Sequence, residues 1–140
     1  MPSLLSVSLP RALAPDLDLT HAHSLADLQA VLDGHLDGFG EDDREPLSAK
    51  VLRRPGAIPE HVLYVRDTTT GQSVSSVSLV PQTWTYEGIP FRVGEVGVVS
   101  TRKAYRKRGL VRHLFEAYHT LAVEENCLMS VIAGIPYFCR

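Results

Sequence analysis

Residues Val98 to Leu114 read VVSTRKAYRKRGLVRHL, and the chemistry of this chain is concentrated there. Arg102, Lys103, Arg106, Lys107, Arg108 and Arg112 crowd into the run with no acidic residue between them. Gly109 stands where the amphipathic helix should begin. A glycine at such a point lets a ligand approach the backbone closely. The first amides of a helix have no partner inside it, and the helix dipole adds roughly half a positive charge. A β-branched strand, a glycine turn and a helix start together make an anion site, most naturally for phosphate. As charge alone, the run reads equally as a solvated loop or a nucleic-acid patch.

Arg106-Lys107-Arg108-Gly109-Leu110-Val111 resembles the Arg/Gln-x-x-Gly-x-Gly/Ala signature of the GNAT superfamily of acetyl-CoA-dependent N-acetyltransferases. It departs at the last position, where Val111 replaces a small residue. The flanks are similar too: Tyr105 before the basic triplet, a Val-rich strand before that, and Leu110, Leu114, Phe115 and Leu121 on the following helix. The specific part of the resemblance runs from Glu95 to Val123; topologically it extends from about Leu17 to the C-terminus. It implies acetyl-CoA as cosubstrate and an amine as acceptor, with no metal. The backbone of Val99 and Thr101 would pair with the pantetheine arm like an added strand, with the Val99 amide near the thioester carbonyl. The segment Arg106, Lys107, Arg108, Gly109, Leu110, Val111 and Arg112 would hold the pyrophosphate, with backbone amides from Lys107 to Arg112 as its cradle. The strand-glycine-helix context then favours a CoA pyrophosphate over a nucleic acid.

Acetyl transfer needs a neutral amine, and a lysine-like amine has a pKa near ~10.4, so a base must take its proton. Glu95 is the candidate, on the strand leading into the loop, where some family members carry a glutamate base. The alternative is a solvent-facing carboxylate or a partner for Arg92. The departing thiolate needs a donor, which the family often places on a tyrosine after the last strand of this segment. Tyr137 is the nearest tyrosine, with Cys139 as the other occupant of that place and a packing role as the alternative. Neither cysteine has the context of an acyl-enzyme, so direct attack in a ternary complex is expected. His21 and His23 share a strand face, but no carboxylate or cysteine cluster supports a metal there. His113 and His119 read as surface or partly buried residues. Trp84, Tyr86 and Phe91 flank a hairpin and read as core, or as a lining for the acceptor.

These residues need elements to hold them. Met1 to Asp16, with three prolines, reads as an irregular arm with a short strand at Leu4 to Leu9. Leu17 to Ala22 alternates as a strand. Ser24 and Asp27 form a capping box ahead of a helix whose stripe is Leu25, Leu28, Val31, Leu32 and Leu36. A short helix follows from Pro46 to Arg53. His61 to Arg66 and Ser73 to Val80 read as antiparallel strands, with a bulge or bend at Pro81. Trp84 to Tyr86 continues, Glu87-Gly88 turns, and Ile89 to Val99 returns. After the loop come a helix from Leu110 to Glu125 and a buried strand from Leu128 to Ala133. The fold class is therefore α/β: a mixed, mostly antiparallel sheet flanked by helices, with residues 17–140 as a single GNAT-like domain after the arm of residues 1–16.

Composition sets the bounds. The chain has 140 residues, enough for one domain and too few for two. Its net charge of −2 makes the basic run a local feature, which argues against general nucleic-acid binding. Hydrophobic content is 44% and charged content 21%, ordinary for a globular protein. Cys127 and Cys139 show no metal spacing and read as free thiols of a cytoplasmic protein. MPSLLSVSLP has no basic n-region and no long apolar stretch, and no run reaches the ~18 apolar residues of a membrane span. The family's closing helix and strands are expected to be missing after Ala133. An uncovered strand edge invites pairing, so a non-catalytic acyl-CoA-binding module and a homodimer are both open readings.

Overall fold

Chain alternation and turn chemistry build a seven-stranded sheet one strand at a time. The structure, a computed structural model, describes residues 9–52 and 58–132. Strand β1 (Arg11–Ala14) pairs antiparallel with β2 (Leu17–His21). Ser24 caps helix α1 (Leu25–Phe39): its hydroxyl accepts from the Asp27 amide at 3.3 Å, and the Asp27 carboxylate accepts from the His23 amide at 2.8 Å. Reciprocal caps of this kind satisfy donors that the helix cannot. Helix α2 (Arg44–Leu52) begins two residues ahead of the expected Pro46, extended by the 3-10 turn Glu41–Asp43. Then come β3 (Val62–Asp67), β4 (Ser73–Tyr86) and β5 (Ile89–Val96), all antiparallel. The two-residue β6 (Ser100–Thr101) also pairs with β4. Helix α3 (Leu110–Glu124) carries the chain to β7 (Met129–Ile132), which lies parallel to β5. The order is β1-β2-β3-β4-β5-β7, with β6 beside β4.

Helices cover both faces. Leu110, Leu114, Ala117, Tyr118, Leu121 and Ala122 of α3 pack on Leu17, Leu19, Leu63, Val65, Val77 and Leu79. Leu28 and Val31 of α1 pack on Val62 and Tyr64 across the sheet. Removing a fully buried leucine such as Leu114 costs about 2–5 kcal/mol, so these two layers set the stability of the platform.

Five expectations need correction. Residues 11–14 of the expected irregular arm form β1, because their backbone pairs with β2 at the edge of the sheet. Pro81 makes no bulge: it faces Gly94 in unbroken register. The Gly97 amide donates to the Ser78 carbonyl, so alternation aims the Pro81 backbone at the other edge, beyond the point where β3 begins opposite Ser78. No partner is lost there, and β4 runs on through Trp84 to Tyr86 as one strand. Trp84 and Tyr86 are not core, being 40% and 70% exposed. Their end of the β4–β5 hairpin overhangs the packed layers, and Trp84 meets Phe91, itself only half-buried, edge to face. The last strand is not buried either: Leu128, Met129 and Ile132 are exposed. Finally, the strand expected from Ile89 to Val99 stops at Val96. The expected strand at Leu4–Leu9 falls mostly, and Tyr137 and Cys139 fall wholly, outside the described residues.

Candidate functional site

From Ser78 to Ser76, β4 takes two steps, while the facing chain from Gly97 to Ser100 takes three. The extra residue is a β-bulge at Val98–Val99, which re-aims the backbone where β5 ends. Among the described residues neither amide has a backbone partner. Arg102 donates its amide to the Val74 carbonyl at 2.7 Å, so Arg102 and Ser100 face β4. By the two-residue period, Val99 and Thr101 face the opposite edge, where the Thr101 carbonyl accepts from the Arg106 guanidinium at 3.4 Å. That edge is on the side where β7 runs parallel to β5 as far as Val96–Ile132.

The basic loop is tied down in its first half. The Lys103 amide donates to the Asp37 carboxylate of α1 at 2.8 Å. The Arg102 guanidinium donates to the Ser73 carbonyl at 2.7 Å. The Tyr105 hydroxyl donates to the Asp67 carboxylate at the end of β3, at 2.7 Å. The second half, Arg106 to Gly109, is exposed. Lys107 and Gly109 are both left-handed, with φ of +66° and +72°. Gly109 is the N-cap of α3, and no side chain caps the helix. A β-carbon added there would meet nothing within 4 Å. An unblocked helix start beside Arg106, Lys107, Arg108 and Arg112 has the unpaired amides and positive charge that suit an anion. Arg108 lies over the Tyr105 ring, 5.1 Å from its centre, in cation–π geometry.

Asp67 is the electrostatic anchor of this loop. The Thr69 hydroxyl, the Tyr105 hydroxyl and the Thr69 amide all donate to it, in that order of effect, and hold its pKa at about 2. The same bond, together with burial, raises the Tyr105 pKa.

Glu95 is half-buried on β5, on the face away from α3. The Gln82 side-chain amide donates to one carboxylate oxygen, and the Trp84 indole donates to the Gln82 side-chain oxygen at 2.8 Å. Arg92, the alternative partner for Glu95, turns instead to Glu125 at 3.3 Å. Tyr118 donates its hydroxyl to the Gly94 carbonyl at 3.1 Å on the α3 side, and burial raises its pKa. The structure thus brings Glu95, Val99, Thr101 and the Arg106–Arg112 segment onto one continuous stretch of strand, loop and helix start, while Tyr137 lies outside the described residues. The His21 and His23 rings lie 4.2 Å apart and tilted by 53°, and among the described residues no group of three or more His, Cys, Asp or Glu side chains could hold a metal. No helix of the described residues is long and apolar enough to cross a membrane. Sequence reasoning missed Asp67, Tyr105's bond to it, and His35. Asp67 follows the expected strand His61–Arg66 and carries no signal of its own, and His35 sits among the apolar positions of α1.

A profile described as the acetyltransferase (GNAT) domain matches residues 21–138. No match was found among curated proteins. Among solved structures, a Trypanosoma brucei acetyltransferase is similar at 25% identity and a TM-score of 0.63, over 86% of this chain and 84% of that one. A Saccharomyces cerevisiae N-myristoyltransferase with bound myristoyl-CoA is similar in fold at 19% identity and a TM-score of 0.71, over 90% of this chain and 32% of that one. An aminoglycoside N-acetyltransferase in complex with CoA is similar in fold at 13% identity and a TM-score of 0.63, over 90% of this chain and 82% of that one.

Proposed function

The chain belongs to the GNAT acetyltransferase family, and on that premise we propose that it transfers an acetyl group from acetyl-CoA to an amine, by direct attack with both substrates bound. One observation carries the reading. The backbone of Val99 and Thr101, turned away from β4, leads through the basic loop into the uncapped start of α3. A thioester's pantetheine arm needs strand-like backbone partners, and its pyrophosphate needs unpaired amides and positive charge. Here the two follow one another along the chain. The loop's amides from Lys107 to Arg112 are assigned to the pyrophosphate, and the Val99 amide to the thioester oxygen, whose developing charge it would stabilise.

Glu95 is assigned as the base. Gln82 fixes one carboxylate oxygen, and Trp84 fixes Gln82. The other oxygen is the one to take the amine's proton, directly or through a water. Tyr137 is assigned as the donor to the leaving thiolate. A cytoplasmic location belongs to the same proposal, with Cys127 a free thiol whose pKa burial pushes up. So does a homodimer through the exposed residues Leu128, Met129 and Ile132 beside β7's outer edge.

Calorimetry with acetyl-CoA and with myristoyl-CoA, followed by a transfer assay on a panel of amines, tests the reading. Acetyl-CoA binding with turnover on at least one amine supports it. Binding without turnover on any amine makes the chain an acyl-CoA-binding module, and preference for the longer acyl chain changes the donor. Absence of CoA affinity, with a salt-dependent shift of nucleic acid, overturns it.

A further inference from the structure

His35 is a buried polar group that acetyl transfer as described leaves unused. It lies on α1 at 2% exposed, among the buried Val31, Leu32 and Leu36. Burial pulls its pKa from 6.5 down to about 4, so the imidazole is neutral at neutral pH. Both ring nitrogens face hydroxyls. Nδ1 is 2.5 Å from Ser100 Oγ, and Nε2 is 3.4 Å from Ser76 Oγ. A neutral imidazole offers one donor and one acceptor, and a serine hydroxyl can play either part, so both contacts are satisfiable in either tautomer.

Ser76 and Ser100 are cross-strand partners, so His35 straddles the joint between β4 and β6. That joint needs fixing. β6 is two residues long, bounded by the Val98–Val99 bulge and by the loop at Arg102. Short pairing beside a bulge specifies register weakly. On the opposite face, Ser75 Oγ bonds the Ser100 carbonyl at 3.1 Å and Thr101 Oγ1 at 2.8 Å. Ser100 is thus gripped from α1 by its side chain and from β4 by its backbone. An apolar side chain at position 35 would fill the space; the imidazole adds direction.

We propose that His35 is a positioning residue: by holding Ser100 it sets the register of the Val99–Thr101 backbone, and through it the placement of the pantetheine arm. This rests on the reading of that backbone as the acetyl-CoA site. The test is a double-mutant cycle of His35→Leu and Ser100→Ala in the full chain, read by acetyl-CoA Kd, by KM and kcat, and by thermal midpoint. Each single change is expected to weaken acetyl-CoA by about three- to tenfold, the worth of one buried hydrogen bond. The loss should fall on KM more than on kcat. The double variant should bind no worse than the weaker single one, because both changes remove one interaction. His35→Gln, which keeps a donor within reach of Ser100, should recover part of the affinity.

A merely structural His35 would lower the thermal midpoint and leave Kd alone, or give losses that add; either result overturns the proposal. If His35→Leu fails to fold, Ser100→Ala decides by itself, since it deletes one oxygen, and an unchanged Kd there sinks the idea. A wild type that does not bind acetyl-CoA overturns the site and this inference together. A wild type that binds, with Ser100→Ala unaffected, overturns this inference alone.

Discussion

The Tyr105 hydroxyl donates to the Asp67 carboxylate at 2.7 Å, and this bond joins the basic loop to the end of β3. It also sets Arg108, whose guanidinium lies over the Tyr105 ring. Tyr105→Phe keeps the ring and deletes the bond. We expect acetyl-CoA affinity to fall by about three- to tenfold, the range for one hydrogen bond, with the fold intact. The Asp67 pKa should rise from about 2, yet stay below its ordinary 3.8, because Thr69 contributes the largest part of the shift and remains. A carboxylate titration followed by NMR reads this. An Asp67 pKa that does not move would detach the tyrosine from the anchor.

Gly109 has a φ of +72°, and a β-carbon there meets open space. Aspartate tolerates the left-handed region better than most residues, so Gly109→Asp should fold. Its carboxylate would stand where the pyrophosphate is assigned, and measurable acetyl-CoA binding should vanish. Lys107 is the contrast. It too is left-handed, at +66°, so Lys107→Asn removes the charge without forcing the backbone. Exposed pairs are worth about 0–1 kcal/mol, so the loss should be no more than about fivefold and should shrink in high salt. Calorimetry at two ionic strengths checks both. A folded Gly109→Asp that binds normally would move the site elsewhere.

The strand, basic loop and uncapped helix start were readable in the sequence because their signal is local. Strand, glycine and helix start are neighbours in the chain, and charge density needs no tertiary knowledge. The Ser24–Asp27 box and the α3 stripe were readable for the same reason. The bulge at Val98–Val99 was not. It depends on how many residues β4 spends opposite, which no single strand displays. Trp84 and Tyr86 were misassigned because aromatics in a strand usually face a packed layer, whereas the β4–β5 hairpin extends past both helices. His35 was hidden within an apolar stripe, where its value comes from two serines far along the chain.

Acid should weaken the fold at His35 first. Its pKa is 6.5 as an ordinary histidine and about 4 when buried. Below pH 6.5 the unfolded chain takes a proton that the native state refuses until about pH 4. Stability therefore falls as pH drops through that window, by about 3 kcal/mol if the full shift is realised. Asp67 acts later: its folded pKa is depressed, so its contribution is present above pH 3.8 and is lost as pH falls towards about 2. Urea midpoints of wild type and His35→Leu between pH 7 and pH 4 isolate the first effect. The gap between the two proteins should close or invert as the medium acidifies. A gap independent of pH would mean that His35 titrates as it does in solvent.

Glu95→Gln separates the base from the binding site. The carboxylate accepts from Gln82, which itself accepts from Trp84. A glutamine at position 95 can turn its carbonyl oxygen to Gln82 and keep this geometry, so acetyl-CoA affinity should not change. What it cannot do is take a proton. If Glu95 deprotonates the acceptor, kcat should fall by about 10²–10⁴. The deficit should narrow with rising pH, since an amine with a pKa near ~10.4 gains about tenfold in neutral fraction per pH unit until it reaches that value. A proton-transfer role and a packing role diverge here: loss of packing would lower kcat equally at every pH, or lower affinity. A variant with wild-type kcat at neutral pH would remove Glu95 from the chemistry.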